Sequence, residues 1–127
     1  MTTDVLKISQ DHVWVRPGED GALLGLTDFA AEALGKIIYV QLPEVGEEVV
    51  RGEPFAAVES AKANVELIAP ISGNVLRVNG ELEDRPDLVN EDSFSTGWIA
   101  LLSIKDPAEL EVLMARPDYD FFVTASE

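Results

Sequence analysis

Cysteine is absent from the 127-residue sequence, and histidine occurs only once, at His12. The absence of cysteine excludes disulfides, thiolate nucleophiles and thiolate metal ligands together. The carboxylates and the one histidine do not have the spacing of a metal site, and the glycines form neither a GxGxxG nor a GxxxxGK phosphate loop. Enzymes need a nucleophile with a base, a metal cluster or a phosphate loop. We therefore expect that this protein is not an enzyme by itself.

Basic residues are scarce as well. Nine Lys and Arg stand against 24 Asp and Glu, which gives a formal net charge of −15. Phosphate binding requires clustered basic side chains, so nucleic acid is not an expected partner. An acidic surface instead favours solubility and basic protein partners.

Long apolar runs are also missing. No uninterrupted apolar stretch approaches the ~20 residues that a membrane helix requires. The first residues, Met1-Thr2-Thr3-Asp4, lack the basic and then apolar order of a secretory signal, and they are too acidic for a typical organelle transit peptide. We expect a monomer in the bacterial cytoplasm that does not bind membranes. A mature organelle protein with an added Met is the alternative.

Hydrophobic alternation predicts a mainly β fold in one domain, residues 1–127. A first strand is predicted over residues 5–16, with Val13 and Val15 on one face and His12, Trp14 and Arg16 on the other. Further strands are predicted over residues 22–26, 37–42, 74–78 and 98–104. We expect His12 to be partly buried and satisfied by a neighbouring side chain. In the strand over residues 37–42, Tyr39 should alternate with Ile38 and Val40 across the two faces.

Capping residues predict short helices around these strands. Thr27 can cap a helix over residues 28–34, and Gly35 can end it in the left-handed conformation. The polar stretch 79–97 is long for a loop, so it should be functional or folded on itself, with a helical turn near Pro86.

A second helix is predicted near the end of the sequence. Asp106-Pro107-Ala108-Glu109 provides an N-cap, a proline at N1 and a glutamate at N3 for a helix over residues 107–115. Pro117 should interrupt this helix. Residues 118–123 should then pack as a terminal turn or short helix.

One lysine stands between two largely apolar segments, residues 55–58 and 65–68. The small residues of Ser60-Ala61-Lys62-Ala63 connect them, a pattern typical of a hairpin with Lys62 at its tip. Because Ala61 and Ala63 carry little bulk, an enzyme could approach the lysine amine from most directions. A solvated turn lysine without a function is the alternative interpretation.

The motifs around this lysine resemble those of lipoyl and biotinyl carrier proteins. Val45-Gly46-Glu47-Glu48-Val49 and Arg51-Gly52-Glu53-Pro54 precede the lysine, and Ala69-Pro70-Ile71-Ser72-Gly73-Asn74-Val75 follows it. Biotin carriers usually place methionine on both sides of the lysine, so alanine at both places favours lipoate. Over residues 8–120, six ordered motifs resemble the H protein of the glycine cleavage system: Leu24-Gly25-Leu26-Thr27-Asp28-Phe29-Ala30, Glu32-Ala33-Leu34-Gly35, Val40-Gln41-Leu42-Pro43-Glu44-Val45-Gly46, Glu59-Ser60-Ala61-Lys62-Ala63, Leu88-Val89-Asn90-Glu91-Asp92 and Gly97-Trp98.

This resemblance implies a flattened barrel-sandwich hybrid with short peripheral helices. The lipoyl core would span about residues 37–104, and a C-terminal helical segment about residues 107–123. Lys62 matches the lysine to which lipoate is attached covalently by a lipoate-protein ligase or lipoyltransferase. In the family, the lipoylated protein accepts an aminomethyl group from glycine decarboxylase, presents it to aminomethyltransferase and is reoxidised by dihydrolipoamide dehydrogenase. Glu59, Ser60, Ala61, Ala63 and Glu66 are the expected recognition residues around Lys62. Glu59 and Glu66 would guide a lipoate ligase or another partner, and simple solvation of the surface is the alternative interpretation of these two carboxylates.

The sequence departs from the family at one position of chemical interest. The family's His-Glu-Trp-Val is replaced here by His12-Val13-Trp14-Val15. In the family that glutamate lines the cleft that shelters the aminomethylated arm, so we expect Val13 to shelter it less well. Two other functions remain open: an H-protein-like lipoate-binding protein of a sulfur-oxidising heterodisulfide-reductase-like system or a lipoyl relay protein, and an unmodified interaction domain.

Overall fold

A computed structural model describes residues 6–126. These residues form two antiparallel sheets and five short helices. The first four residues and the predicted start of the first strand at residue 5 lie outside this range. The strands are β1 (Lys7–Ile8), β2 (Val13–Gly18), β3 (Gly21–Leu26), β4 (Ile37–Gln41), β5 (Glu48–Val49), β6 (Pro54–Ser60), β7 (Asn64–Ile68), β8 (Gly73–Val78), β9 (Ala100–Leu102) and β10 (Met114–Ala115). The helices are α1 (Asp28–Leu34), α2 (Glu81–Asp84), α3 (Leu88–Glu91), α4 (Ala108–Glu111) and α5 (Arg116–Ser126).

The strands pair in a larger and a smaller sheet. The larger has the order β10-β1-β2-β3-β9-β8-β5, and the smaller has the order β4-β6-β7. The mainly β fold with short peripheral helices is confirmed, although within the described residues the sheets do not close into a complete barrel.

Both sheets contribute to one hydrophobic core. Val15 and Leu24 of the larger sheet belong to the same buried cluster as Val40, Val58 and Leu67 of the smaller sheet. Full burial of a side chain of this size contributes about 1.5–3 kcal/mol. The scaffold therefore has an apolar core of its own, beneath the strands that lead to Lys62.

Helix α1 begins and ends where the sequence predicts. Thr27 Oγ1 accepts a hydrogen bond from the N–H of Ala30 at 3.2 Å. Gly35 has a φ of 82°, a conformation that favours glycine, and its N–H donates to the carbonyl of Ala31 at 3.0 Å.

The predicted first strand is interrupted, because residues 9–12 form a turn between β1 and β2. Ser9 Oγ accepts hydrogen bonds from the N–H groups of Asp11 and Val13, both at 3.2 Å. The N–H of Ser9 still donates to the carbonyl of Val13 at 2.9 Å, but the N–H of Val13 donates to the serine hydroxyl instead of the Ser9 carbonyl, so the ladder between β1 and β2 ends here. His12 has a φ of 70° in this turn.

The predicted helix over residues 107–115 is wrong in its length. It is limited to the single turn of α4, because β10 (Met114–Ala115) pairs with β1 (Lys7–Ile8). Glu109 does not cap the helix; its carboxylate accepts hydrogen bonds from the N–H and the hydroxyl of Ser72 at 2.7 and 3.0 Å.

Pro117 does not interrupt a helix but lies in the first turn of α5, where a proline needs no N–H partner. The helix predicted as a short terminal element over residues 118–123 is therefore longer than expected, 11 residues. No helix within residues 6–126 combines the length and the apolar character needed to cross a bilayer.

The polar stretch 79–97 is folded on itself, as predicted. It contains α2 and α3, whose Leu82 and Val89 are buried. The side-chain amide of Asn79 donates to the carbonyls of Thr96 and Trp98 at 2.9 and 2.8 Å, which joins the two ends of the stretch.

The predicted alternation along the third strand fails at Ile38. The register of β4 against β6 shifts between Ile37 and Tyr39, so Ile38 is an extra residue in the ladder. Ile38 and Tyr39 are consequently both exposed, 50% and 56%, instead of lying on opposite faces.

Candidate functional site

Lys62 lies at the tip of the β6–β7 hairpin, as the sequence predicts. The strands pair as far as Glu59 and Asn64, and the N–H of Ser60 donates to the carbonyl of Ala63 across the turn at 2.9 Å. The buried Ser60 Oγ accepts from the N–H groups of Lys62 and Ala63 at 3.1 and 3.2 Å. The serine therefore fixes the turn from inside, and the side chain of Lys62 remains exposed.

The C-terminal end of α1 lies beside the lysine. Lys62 Nζ donates to the carbonyl oxygen of Ala33 at 3.3 Å. The carbonyl end of a helix carries partial negative charge, which favours an ammonium group there. An amide nitrogen at Nζ would retain one N–H, which could donate to the same carbonyl. The position therefore fits an acylated lysine as well as a free amine.

Asn90 on α3 joins the end of α1 to the start of β4. Its Oδ1 accepts from the N–H of Ile37 at 2.8 Å. Its Nδ2 donates to the carbonyls of Ala31 and Gly35 at 3.2 and 2.9 Å. These three bonds hold the turn that carries Gly35, beside Lys62. Sequence reasoning did not assign Asn90 to the site, and only its place in the Leu88-Val89-Asn90-Glu91-Asp92 motif pointed to it.

The two predicted acidic residues lie on the flanks of the hairpin. Glu59 is half-buried and lies opposite Tyr39 of β4 and Asn64 of β7. Glu66 is exposed and lies opposite Ala57. Directly opposite residues in a sheet project from the same face, so both carboxylates point away from the buried side of the smaller sheet.

Next to Lys62, Ala61 and Ala63 are both exposed at the tip. Neither side chain extends beyond Cβ, so neither obstructs the amine. The structure thus brings the predicted small residues together around Lys62 and leaves the acidic residues further along the strands.

Val13 does not line an open cleft, contrary to the expectation from the family resemblance. Its side chain is fully buried in the main hydrophobic core, on β2 opposite Leu26. A carboxylate at this position would lose its hydration inside an apolar core, which is unfavourable. The apolar side chain of valine therefore fits its surroundings.

Tyr119 connects the C-terminal helix to α1. Its hydroxyl lies 2.9 Å from Thr27 Oγ1 and 2.7 Å from His12 Nδ1. Burial lowers the pKa of His12 below its usual value, while Asp11 acts in the opposite sense. The Nδ1 of a neutral His12 can accept a hydrogen bond from the Tyr119 hydroxyl, and the hydroxyl of Thr27 can donate a hydrogen bond to the Tyr119 oxygen. His12 is therefore partly buried and satisfied by a neighbour, as predicted.

A cavity of about 800 Å³ opens beside α1, α3 and α5, with Gly35 on its wall. Its charged lining consists of Asp28, Glu32, Lys36, Asp87, Glu91, Arg116 and Asp120. Arg116 lies 3.9 Å from Asp28 and 3.3 Å from Asp120, so part of this negative charge is compensated. Within the described part of the chain, no group of three potential ligands could hold a metal ion.

The fold and this site define the class of protein. A rigid β-hairpin presents an exposed lysine between small residues, and a mainly β scaffold supports it. These are the features of a lipoyl carrier, in which a lysine bears a prosthetic group that other proteins act upon.

Comparison with known proteins identifies the family. The family model described as glycine cleavage H-protein matches residues 6–126. Glycine cleavage system H proteins of Anaeromyxobacter sp. (strain K) and Halalkalibacterium halodurans are 44% and 46% identical over 122 and 114 residues, which cover 96% and 90% of this chain and 95% and 89% of those proteins. The crystal structure of a glycine cleavage system H protein from Mycobacterium marinum superposes with a TM-score of 0.86 at 34% identity, covering 97% of this chain and 99% of that one. The chain belongs to the glycine cleavage H-protein family.

Proposed function

We propose that Lys62 carries lipoate through an amide bond and that the chain shuttles an aminomethyl group among the enzymes of glycine cleavage. The observation that carries the proposal is the position of Lys62, exposed at the tip of a fixed hairpin in a chain of the H-protein family. The chain itself is a non-catalytic component, which presents the arm while its partners perform the reactions.

The attachment step needs only an accessible amine and an activated lipoyl donor. The donor is a lipoyl adenylate formed by a lipoate-protein ligase, or a lipoyl group passed on by a lipoyltransferase. The bond from Lys62 Nζ to the acyl carbon forms, the bond from that carbon to the leaving group breaks, and the amine loses a proton. The remaining N–H can still donate to the carbonyl of Ala33, now 3.3 Å from Nζ.

When bound, lipoate would supply a disulfide that takes up the aminomethyl group from glycine decarboxylase, releases it at aminomethyltransferase and is restored by dihydrolipoamide dehydrogenase. The chain's own residues would hold the base of the arm at the hairpin tip. Attachment raises the local concentration of the arm at a docked active site to the order of millimolar. The partners can therefore bind weakly and exchange quickly.

The experiment that tests attachment is peptide mapping after incubation with a lipoate-protein ligase, ATP and lipoate. We expect one lipoylated peptide, which contains Lys62. Lys62→Arg should abolish the modification, while Lys36→Arg, which changes a nearby lysine, should retain it. Lipoylation that persists in Lys62→Arg would show that the assignment is wrong.

A second experiment tests the shuttle. The lipoylated protein is added to purified glycine decarboxylase with labelled glycine, and the release of labelled carbon dioxide is measured. We expect release that depends on lipoylation of Lys62. If the protein is lipoylated at Lys62 but does not support release of labelled carbon dioxide, the proposed carrier role stands and the proposal that the cargo is an aminomethyl group is wrong.

A further inference from the structure

The bulge in β4 places two large apolar side chains in water near the lysine hairpin. Ile38 and Tyr39 are 50% and 56% exposed and adjacent in sequence. β4 is also an edge strand of the smaller sheet, since it pairs there only with β6. A bulge and the bond from the N–H of Ile37 to Asn90 protect the backbone of this edge, so the feature open to a partner is the pair of exposed apolar side chains.

This apolar pair is continuous with the acidic residues of the hairpin. Tyr39 lies directly opposite Glu59, and Gln41 lies opposite Ala57, which in turn lies opposite Glu66. Because side chains two residues apart on a strand share a face, Tyr39, Glu59 and Glu66 project from the same side of the sheet. Glu59 precedes Lys62 by three residues, so this group of apolar and acidic side chains begins within about 10 Å of the hairpin tip.

We propose that Ile38, Tyr39, Glu59 and Glu66 form a docking face for the enzyme that acylates Lys62. The proposal rests on the proposed function, since it requires that Lys62 is acylated. The complementary surface is an apolar recess for Tyr39 and Ile38, with Lys or Arg side chains at its rim.

The reach of the lysine favours this enzyme over the other partners. An acylating enzyme must bring an activated carbonyl carbon to Nζ itself, so its surface must approach the hairpin closely. Enzymes that act on the far end of an attached arm have no such requirement. A standard interface covers about 800 Å² on each partner, much more than a hairpin tip, so the contact must extend onto the neighbouring sheet face.

Charge complementarity supports the same partner. The chain has a formal net charge of −15, and the two carboxylates of the docking face flank the lysine that must enter the active site. A basic rim on the enzyme would speed association, and salt would screen this effect as the screening length falls from about 30 Å at 0.01 M to about 8 Å at 0.15 M.

The test is the steady-state kinetics of lipoylation by a purified lipoate-protein ligase with ATP and lipoate. We expect Ile38→Ser/Tyr39→Ser to lower kcat/KM at least tenfold, which corresponds to about 1.4 kcal/mol, mainly through KM. Tyr39→Phe keeps the ring and should stay within about twofold of the wild type, given that ring burial rather than the hydroxyl supplies most of the contact. Glu59→Gln/Glu66→Gln should reduce the salt dependence of kcat/KM.

The matched control is Val50→Ser, which removes another exposed aliphatic side chain, 44% exposed, before the opposite end of β6. It should leave kcat/KM unchanged. All variants are compared by thermal melting, because a loss of folding would otherwise mimic a loss of docking. Ile38→Ser/Tyr39→Ser with a melting temperature and a kcat/KM equal to those of the wild type would overturn the docking face.

Two further results separate the alternatives. If the wild type is not lipoylated at Lys62 at all, both the proposed function and the docking face are wrong. If sedimentation shows a wild-type dimer that Tyr39→Ser dissociates while kcat/KM is unchanged, the face binds a second copy of the chain and the inference is overturned.

Discussion

Removal of Asn90 should loosen two backbone segments beside Lys62 at once. In Asn90→Ala, the N–H of Ile37 and the carbonyls of Ala31 and Gly35 lose their side-chain partner. A net contribution of about 0.5–1.5 kcal/mol per hydrogen bond predicts a loss of about 1.5–4.5 kcal/mol in the free energy of unfolding. For a chain of this size, that corresponds to a fall of very roughly 5–15 °C in the melting temperature.

Asn90→Asp separates the two halves of this side chain. One carboxylate oxygen can still accept from Ile37, but the other replaces the Nδ2 that lies 3.2 and 2.9 Å from two carbonyl oxygens. At pH 7 we therefore expect Asn90→Asp to be at least as destabilised as Asn90→Ala. At pH 4, part of this loss relative to the wild type should be recovered, because a protonated carboxyl can donate again.

Urea denaturation at both pH values gives the free energies. Amide hydrogen exchange of Gly35 and Ile37 reports on the turn itself, and exchange of both amides should become faster in Asn90→Ala. An Asn90→Asp variant as stable as the wild type at pH 7 would show that the two carbonyl contacts contribute nothing, and the reasoning would be refuted.

Protein without lipoate should unfold cooperatively, with a melting temperature within about 2 °C of the lipoylated form, because an exposed tip adds little burial; a non-cooperative melt would contradict this. Because the folded pKa of His12 is lowered, its contribution to stability should be complete above about pH 6.5 and should be lost as the pH falls toward the lowered pKa. Urea midpoints should show this loss in the wild type but not in His12→Asn, whose side chain tolerates the positive φ; equal pH profiles would speak against it. Val13→Glu should lower the free energy of unfolding more than Val13→Ala, since it places a carboxylate in the core; a smaller loss in Val13→Glu would show that the position has access to water.

Local sequence signals predicted the elements whose determinants are themselves local. Thr27 caps the start of α1 and Gly35 caps its end. The lysine hairpin is formed by two apolar segments and the small residues between them. In these segments the bonds that define the element join residues a few positions apart, so periodicity and capping patterns were sufficient.

The errors have long-range causes. The helix predicted over residues 107–115 stops because Met114 and Ala115 pair with β1, more than 100 positions earlier in the chain. The bulge at Ile38 depends on the register against β6, and the role of Asn90 depends on backbone groups of α1 and β4. No local pattern encodes these partners. The burial of Val13 has a similar cause, since it depends on the packing of β2 against the main core and not on the residues beside it in the sequence.

The pairing of β1 with β10 also sets the order of events during synthesis. A ribosome releases residues 7 and 8 long before residues 114 and 115, so β1 must wait for most of the chain before it can pair. The lysine hairpin closes within 15 residues, from Pro54 to Ile68, at a much smaller cost in loop entropy. The nascent chain can therefore display a turn containing Lys62 while its larger sheet is still incomplete. Because Val58 and Leu67 of this hairpin pack into the same core as Val15 and Leu24 of β2 and β3, the turn reaches its fixed form only when the larger sheet has formed.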